Sequence, residues 1–98
     1  MRYKLLGKSG LRVSELALGT MTFGETWGWG ASKEESQRIF SRFADAGGNF
    51  IDTSVNYTDG TAEEFLGDFL SVGRDQFVVA TKYTLTNPNS TDPNSGGN

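Results

Sequence analysis

Two stretches of the chain repeat apolar side chains with the 3.6-residue period of an amphipathic helix, at residues 32–46 and 61–70. Each stretch begins with a hydroxyl residue that a Glu follows three positions later, which is typical of a capping box. These pairs are Ser32 with Glu35 and Thr61 with Glu64. The apolar stripes are Ile39, Phe40, Phe43 and Ala44 in the first stretch, and Phe65, Leu66, Phe69 and Leu70 in the second. The pattern therefore predicts two helices, the first of which Gly47 is placed to end.

Short apolar runs around these helices predict β-strands. Residues 2–14 contain two alternating runs about a Gly-containing turn, which predicts a hairpin. The runs at residues 15–19, 49–52 and 76–82 are apolar enough to predict buried strands. The order is then a hairpin followed by β-α-β-α-β. This order predicts an α/β fold with a parallel sheet and right-handed helical crossovers.

Two further segments follow neither period. Residues 20–31 form a glycine-containing loop with large apolar side chains, which could line a pocket or cap the end of the core. These side chains are Met21, Phe23, Trp27 and Trp29. Residues 85–98 consist, after Leu85, only of Thr, Asn, Pro, Ser, Asp and Gly. That composition predicts a loop or a disordered tail.

Composition and charge exclude several kinds of site and partner. The 98 residues are enough for one small domain, and their net charge of −3 offers no basic patch for nucleic acid. Cysteine and histidine are both absent, so we predict no metal site and no histidine-based triad. Because no signal segment or run of transmembrane length is present, we expect a cytoplasmic protein without membrane contact.

Polar or small residues stand where each of the three predicted parallel strands ends. The first strand leads into Gly19, Thr20 and Met21, the second ends at Asp52, and the third ends at Lys82. Parallel strands end at one edge of the sheet, and α/β folds place functional residues at that edge. Neighbouring strands lie about 4.8 Å apart, so Asp52 and Lys82 are expected to form an ion pair if their strands are adjacent.

A phenol follows this ion pair, because Tyr57 lies five positions after Asp52. A free phenol has a pKa near 10, and a neighbouring ammonium favours the phenolate. Lys82, held by Asp52, would therefore make Tyr57 a usable proton donor to a developing alkoxide. That chemistry suits carbonyl reduction, with hydride from a cofactor because no side chain can supply it. The same residues also allow a purely structural ion pair beside a packed tyrosine.

Four stretches of the chain together match a known family in order and spacing: LALGTMTFG, AGGNFIDTSVNY, AEEFLG and VVATKY. Through them the chain resembles the aldo-keto reductases over residues 1 to about 84, including the bacterial members and the potassium-channel β-subunit-like branch. The resemblance implies the N-terminal part of a (β/α)8 TIM barrel, with a β-hairpin that closes the bottom of the barrel. It also implies reduction of aldehydes and ketones with NADPH.

The resemblance also implies roles for individual residues. Asp52, Tyr57 and Lys82 match three members of the Asp, Tyr, Lys and His tetrad of the family. Tyr57 would be the proton donor, and the other two would tune it. Trp27 falls in the substrate-pocket loop. The residues that match the cofactor contacts of the family are Gly19, Thr20, Met21 and Asp52.

Residues 1–98 lack two features of the family that bear on activity, the tetrad histidine and the residues that hold the adenosine phosphate. The histidine of the tetrad would follow a fourth strand, and the residues that hold the adenosine phosphate lie in the C-terminal half of the family. A whole barrel takes about 250 residues. We therefore expect residues 1–98 to be a partial aldo-keto reductase domain whose parent reduces small-molecule carbonyls. The 98-residue chain alone would be inactive, and its open apolar edges would favour self-association.

Two other functions are compatible with the same residues. The chain could be a stand-alone βαβαβ binding or assembly module in which Asp52 and Lys82 form a structural pair. It could also be a non-catalytic regulatory subunit of the channel-associated branch, which keeps the same motifs. A discrete oligomer that does not change with Tyr57→Phe would favour the first of these alternatives.

Overall fold

The elements of the chain follow the predicted order in a computed structural model that describes residues 1–85 and 89–96. The strands are β1 (Tyr3–Leu5), β2 (Arg12–Ser14), β3 (Ala17–Gly19), β4 (Phe50–Asp52) and β5 (Val78–Ala80), and the helices are α1 (Lys33–Asp45) and α2 (Thr61–Phe69). Strands β1 and β2 pair antiparallel as the predicted hairpin. Strands β3, β4 and β5 form a parallel sheet in that order, so β4 is its central strand.

The hydrophobic core lies where both helices meet the central strand. Ile51 of β4 is fully buried and packs with Phe40 of α1 and Leu66 of α2. Phe23, from the loop between β3 and α1, is also buried in this cluster. The core therefore packs against β4, and this packing fixes the position at which the residues after β4 begin.

The first helix begins and ends as predicted. The Ser32 side chain accepts a hydrogen bond from the Glu35 backbone N–H, and Gly47 follows the helix with a positive φ of 90°. The predicted apolar stripe is only partly buried, because Ile39 is 38% exposed while Phe40 is 7% exposed. Adjacent helical residues point about 100° apart, so the face that carries Phe40 toward the core turns Ile39 away from it.

The predicted capping box of the second helix is wrong. Thr61 is the first residue of α2, and the N-cap position is Gly60, which has no side chain and a φ of 96°. A tight turn over Tyr57–Gly60 runs directly into the helix and leaves no extended residue to act as a side-chain cap. The apolar face of α2 is as predicted, since Leu66 and Leu70 are buried.

Two strands differ from prediction in length or burial. The strand predicted at residues 15–19 is limited to β3, which is mostly exposed. Because β3 is an edge strand of this sheet, only β4 lies beside it. The strand predicted at residues 76–82 is also shorter, and Lys82 lies two residues beyond the end of β5.

The hairpin docks at the end of the sheet opposite Asp52. The Ser14 backbone N–H donates to Asn49 Oδ1 (2.7 Å), and Asn49 Nδ2 donates to the Arg12 carbonyl (3.1 Å). Asn49 immediately precedes β4, whereas Asp52 is its last residue. The edge of the sheet at which β3, β4 and β5 end is therefore clear of the hairpin.

Among the described residues after β5, the chain has turns but no helix or strand. Residues 86–88 and 97–98 of the predicted tail lie outside the described residues, so a loop or disordered tail over residues 85–98 stays a prediction. No helix in the described part of the chain is long and apolar enough to cross a membrane. A cytoplasmic location also stays a prediction.

Replacing Ile51 should test the core directly. We expect Ile51→Ala to lower the free energy of unfolding by about 2–5 kcal/mol, since Ile51 is fully buried at the centre of the sheet. Ile39→Ala removes the same atoms from an exposed position and should cost less than about 1 kcal/mol. Urea denaturation measures both changes. Equal losses for the two variants would contradict this placement of the core.

Candidate active site

The carboxyl ends of β4 and β5 bring Asp52, Tyr57 and Lys82 together. Asp52 pairs with Ala80 in register, and Lys82 lies two residues beyond Ala80. Lys82 Nζ donates to Asp52 Oδ1 (3.0 Å) and Oδ2 (2.9 Å), and to the Tyr57 hydroxyl (3.1 Å). Lys82 also lies 4.8 Å from the centre of the Tyr57 ring. The prediction that Asp52 and Lys82 can reach each other is confirmed.

The charge state of Lys82 follows from these contacts. The hydrogen bond to the Asp52 carboxylate raises the pKa of Lys82 above its ordinary value, against a smaller opposing effect of desolvation. Lys82 is therefore an ammonium at neutral pH. Its side chain is 43% exposed and that of Asp52 is 42% exposed, so the pair is open to solvent and to a ligand.

The direction of the hydrogen bond from Lys82 has a chemical consequence for Tyr57. The ammonium donates to the phenol oxygen, so the phenol proton takes no part in this hydrogen bond. Among the described residues, nothing accepts a hydrogen bond from that hydroxyl. Within the described part of the chain, the half-buried Tyr57 thus keeps its proton for an external acceptor, beside a cation that stabilises the phenolate left behind.

The predicted cofactor residues at the end of β3 lie in different surroundings. Gly19 pairs with Asp52, and a Cβ added to it would meet nothing within 4 Å, so the space beside it is open. Thr20 is fully buried, and both its backbone N–H and its hydroxyl donate to the Asp52 carbonyl (3.1 Å each). Met21 is 47% exposed. Thr20 thus ties β3 to Asp52, while Gly19 and Met21 face outward.

The segment after Tyr57 has an unusual backbone. Thr58 (φ 48°, ψ 43°), Asp59 (φ 57°, ψ 35°) and Gly60 (φ 96°) form three successive left-handed residues, here called the left-handed turn. Only glycine adopts this conformation freely, and it is least favourable for a β-branched residue such as Thr58. Each strained residue costs about 1–3 kcal/mol, so other contacts must hold the turn in place.

Those contacts come from residues 20–31, here called the aromatic loop. The Thr58 hydroxyl donates to the Phe23 carbonyl (2.6 Å), and the Thr26 hydroxyl donates to the Thr58 carbonyl (2.7 Å). The approach requires Gly24, because a Cβ there would lie 2.7 Å from Thr58 Oγ1. The aromatic loop is therefore bonded to the segment that carries Tyr57.

The sequence left open whether the large side chains of the aromatic loop cap the core or line a pocket, and the structure has some in each kind of position. Phe23 is buried and caps the core, whereas Trp29 is 53% exposed. Trp27 is half-buried, its indole packs 5.8 Å from that of Trp29, and its Nε1 donates to Asp59 Oδ1 (3.2 Å). The indoles thus stand outside the core, where a ligand can reach them.

Sequence reasoning missed three contributors to this site. The Thr53 carbonyl accepts a hydrogen bond from Lys82 Nζ (2.8 Å), but a backbone carbonyl leaves no mark in a sequence. Thr58 and Asp59 were also missed, although Asp59 and Gly60 form a dipeptide that is typical of turns. No group of residues suited to a metal ion occurs within residues 1–85 and 89–96.

Comparison with known proteins identifies relatives of this chain. A sequence model of the Aldo/keto reductase family matches residues 15–97. The chain is 49% identical over 82 residues to an aryl-alcohol dehydrogenase [NADP(+)] of Phanerodontia chrysosporium, covering 78% of this chain and 21% of the relative. It is 43% identical over 83 residues to a norsolorinic acid reductase of Emericella nidulans, covering 80% of this chain and 21% of the relative.

A solved structure gives the same result. An aldo-keto reductase from Bacillus halodurans superposes with a TM-score of 0.77 at 32% sequence identity, covering 88% of this chain and 27% of that structure. The chain thus spans only 21–27% of the length of these three proteins. Assignment to the bacterial or channel-associated branch stays a prediction.

Proposed function

The chain belongs to the aldo/keto reductase family, and from this premise we propose that its whole protein reduces aldehydes and ketones to alcohols with NADPH. The observation that carries the proposal is the position of Lys82 Nζ, 2.9–3.0 Å from both Asp52 oxygens and 3.1 Å from the Tyr57 hydroxyl. The aryl-alcohol dehydrogenase named above, whose name includes NADP(+), supports this choice of reaction and cofactor.

The position of this cluster in the fold supports the proposal. The hairpin and the parallel β-α-β-α-β unit are the N-terminal part of a (β/α)8 barrel. Barrel enzymes carry out their chemistry at the carboxyl ends of the strands, and Asp52 and Lys82 lie at or just beyond two such ends. The hairpin docks at the opposite end of β4, which is compatible with the bottom-closing hairpin that the resemblance implies.

The proposed mechanism is proton donation by Tyr57. As a hydride reaches the carbonyl carbon, negative charge develops on the carbonyl oxygen, and the free phenol proton moves to that oxygen to complete the alcohol. The Lys82 ammonium stabilises the phenolate that remains, and Asp52 keeps the ammonium in position. Tyr57 regains its proton from solvent, which the exposure of the cluster permits.

The residues present fit the nicotinamide end of NADPH, which supplies the hydride when it is bound. Gly19 leaves open space beside Asp52, and Met21 is exposed at the same edge of the sheet. We propose that these three residues contact the nicotinamide end, and that Thr20 supports them through its two bonds to the Asp52 carbonyl. The rest of the cofactor would be held by later parts of a complete barrel.

An aromatic aldehyde is the appropriate first substrate. The indoles of Trp27 and Trp29 stand beside the segment that carries Tyr57, and flat aromatic surfaces pack well against aromatic rings. The name of the Phanerodontia chrysosporium relative also specifies an aryl alcohol. We therefore propose small aryl carbonyls as the substrate class and Trp27 as part of the substrate pocket.

The test is aldehyde-dependent oxidation of NADPH in a completed barrel. Residues 1–84 of this chain would replace the corresponding segment of the Bacillus halodurans relative, which supplies the remaining strands. We expect loss of NADPH absorbance with an aromatic aldehyde and none without it. NADH in a parallel assay tests the cofactor preference. A folded chimera that does not oxidise NADPH with any aldehyde would refute the proposal.

The 98-residue chain alone should behave differently. It has no histidine, and Leu16, Val72 and Tyr83 expose 67–86% of their surface. Strands β3 and β5 are edges of the described sheet, so we expect no turnover and concentration-dependent association on sedimentation. A monomer with a sharp, concentration-independent urea transition would contradict the association. Turnover that Tyr57→Phe abolishes would contradict the inactivity.

A further inference from the structure

We propose that Asp59 is a positioning residue that fixes Trp27 relative to Tyr57 and thereby sets the preference for aryl substrates. This inference deepens the proposed function and rests on it for its substrate class. Asp59 lies two residues after Tyr57, and its carboxylate accepts the indole N–H of Trp27 at 3.2 Å. The bond joins the residue proposed to contact the substrate ring to a carboxylate two positions after the residue proposed to protonate the substrate oxygen.

The left-handed turn makes this bond possible. An extended or right-handed residue at position 59 would direct its side chain elsewhere, because side-chain direction follows backbone conformation. Asp59 has a φ of 57°, and aspartate is one of the few non-glycine residues that enter this region readily. The backbone conformation and the residue type therefore agree with a carboxylate that reaches back to the aromatic loop.

Thr58 supports this geometry from the buried side. Its hydroxyl and its carbonyl are bonded to Phe23 and Thr26, at 2.6 and 2.7 Å. Thr58 is fully buried, whereas Asp59 is exposed. Those two bonds, of which the one to Phe23 is buried, hold the loop against the turn, and the bond to Asp59 adds the orientation of a single side chain. A change at Asp59 should thus alter Trp27 without releasing the loop.

Two substitutions at one position separate the hydrogen bond from the backbone. Asparagine and glycine both accept the left-handed conformation, but only asparagine keeps an oxygen acceptor for the indole. Asp59→Gly should therefore release Trp27, and Asp59→Asn should restore most of its wild-type behaviour. A purely structural role for the turn would leave the two variants alike.

The first measurement needs no enzymatic activity. The sequence has only two tryptophans, so Trp29→Phe leaves Trp27 as the sole indole. In the full 98-residue chain with that background, we expect acrylamide to quench Trp27 about twofold more strongly in Asp59→Gly than with Asp59, and Asp59→Asn to behave as Asp59 does. Circular dichroism checks that helix content is unchanged. Equal quenching in all three proteins would overturn the proposal.

The second measurement uses the completed barrel described above. For Asp59→Gly we expect KM for an aromatic aldehyde to rise about five- to tenfold, as for the loss of one ordinary exposed hydrogen bond, with kcat within about twofold. KM for a small aliphatic aldehyde should not change, and Asp59→Asn should recover the aromatic KM. Equal effects on both aldehydes would overturn the proposal. If no protein oxidises NADPH, the proposed function fails, and the quenching result still decides the role of Asp59.

Discussion

Replacing Tyr57 with phenylalanine is expected to reduce kcat for an aromatic aldehyde by about 10²–10⁴-fold, the range typical of losing a general acid. The variant removes one oxygen and keeps the ring beside the Lys82 ammonium, which lies 4.8 Å from its centre. Substrate binding should therefore persist, and KM should change by less than about threefold. Steady-state oxidation of NADPH by the completed barrel measures both constants.

Tyr83→Phe is the matched control for this experiment. Tyr83 is 70% exposed and lies next to Lys82 in sequence, so its variant removes the same oxygen close to the site. We expect its kcat to stay within about twofold of the unmodified protein. A Tyr57→Phe variant that retains more than about a tenth of the activity would identify Tyr57 as a packing residue instead of a proton donor.

Replacing Lys82 with methionine is expected to reduce kcat by about 10²–10³-fold, because the phenolate loses the charge that stabilises it. The effect on folding should be small. Both members of the Asp52–Lys82 pair are more than 40% exposed, and exposed ion pairs contribute about 0–1 kcal/mol. Turnover together with urea denaturation of the same protein separates the two effects.

Comparing the change in kcat with the change in stability distinguishes the catalytic from the structural interpretation of the ion pair. A purely structural pair would lose stability and activity together, or neither. Lys33→Met is the control, since Lys33 pairs with Asp68 between α1 and α2 and is also exposed. It should change neither property appreciably. An unchanged kcat in Lys82→Met would refute the proposed mechanism.

The double variant tests whether Tyr57 and Lys82 act as one unit. Residues that serve the same step are not additive, so removing Lys82 after Tyr57→Phe should cost little further activity. Independent effects would multiply the two losses instead.

The assay can be run at neutral pH, because Asp52 raises the pKa of Lys82 and the ammonium persists there. The contribution of the ion pair to stability is complete below the ordinary lysine value of 10.5 and is lost as the pH rises through the higher folded value.

Local patterns were sufficient for the order of the elements and for the three residues of the cluster. Helical and strand periods record which side chains face a core, and both helices and all five strands occur where those periods predicted them. Asp52 and Lys82 could be paired because parallel strands end at one edge and neighbouring strands are close. These inferences need only the chain near each residue and one rule of sheet geometry.

The features that escaped prediction depend on residues far apart in the chain. The left-handed turn is held by bonds from Thr58 to the aromatic loop, 32 and 35 residues away. The same turn replaces the expected Thr61 cap with Gly60, and it directs Asp59 toward Trp27. A local pattern favours the unstrained backbone at each position. Only packed neighbours can hold the β-branched Thr58 in a left-handed conformation, and those neighbours come together when the chain folds.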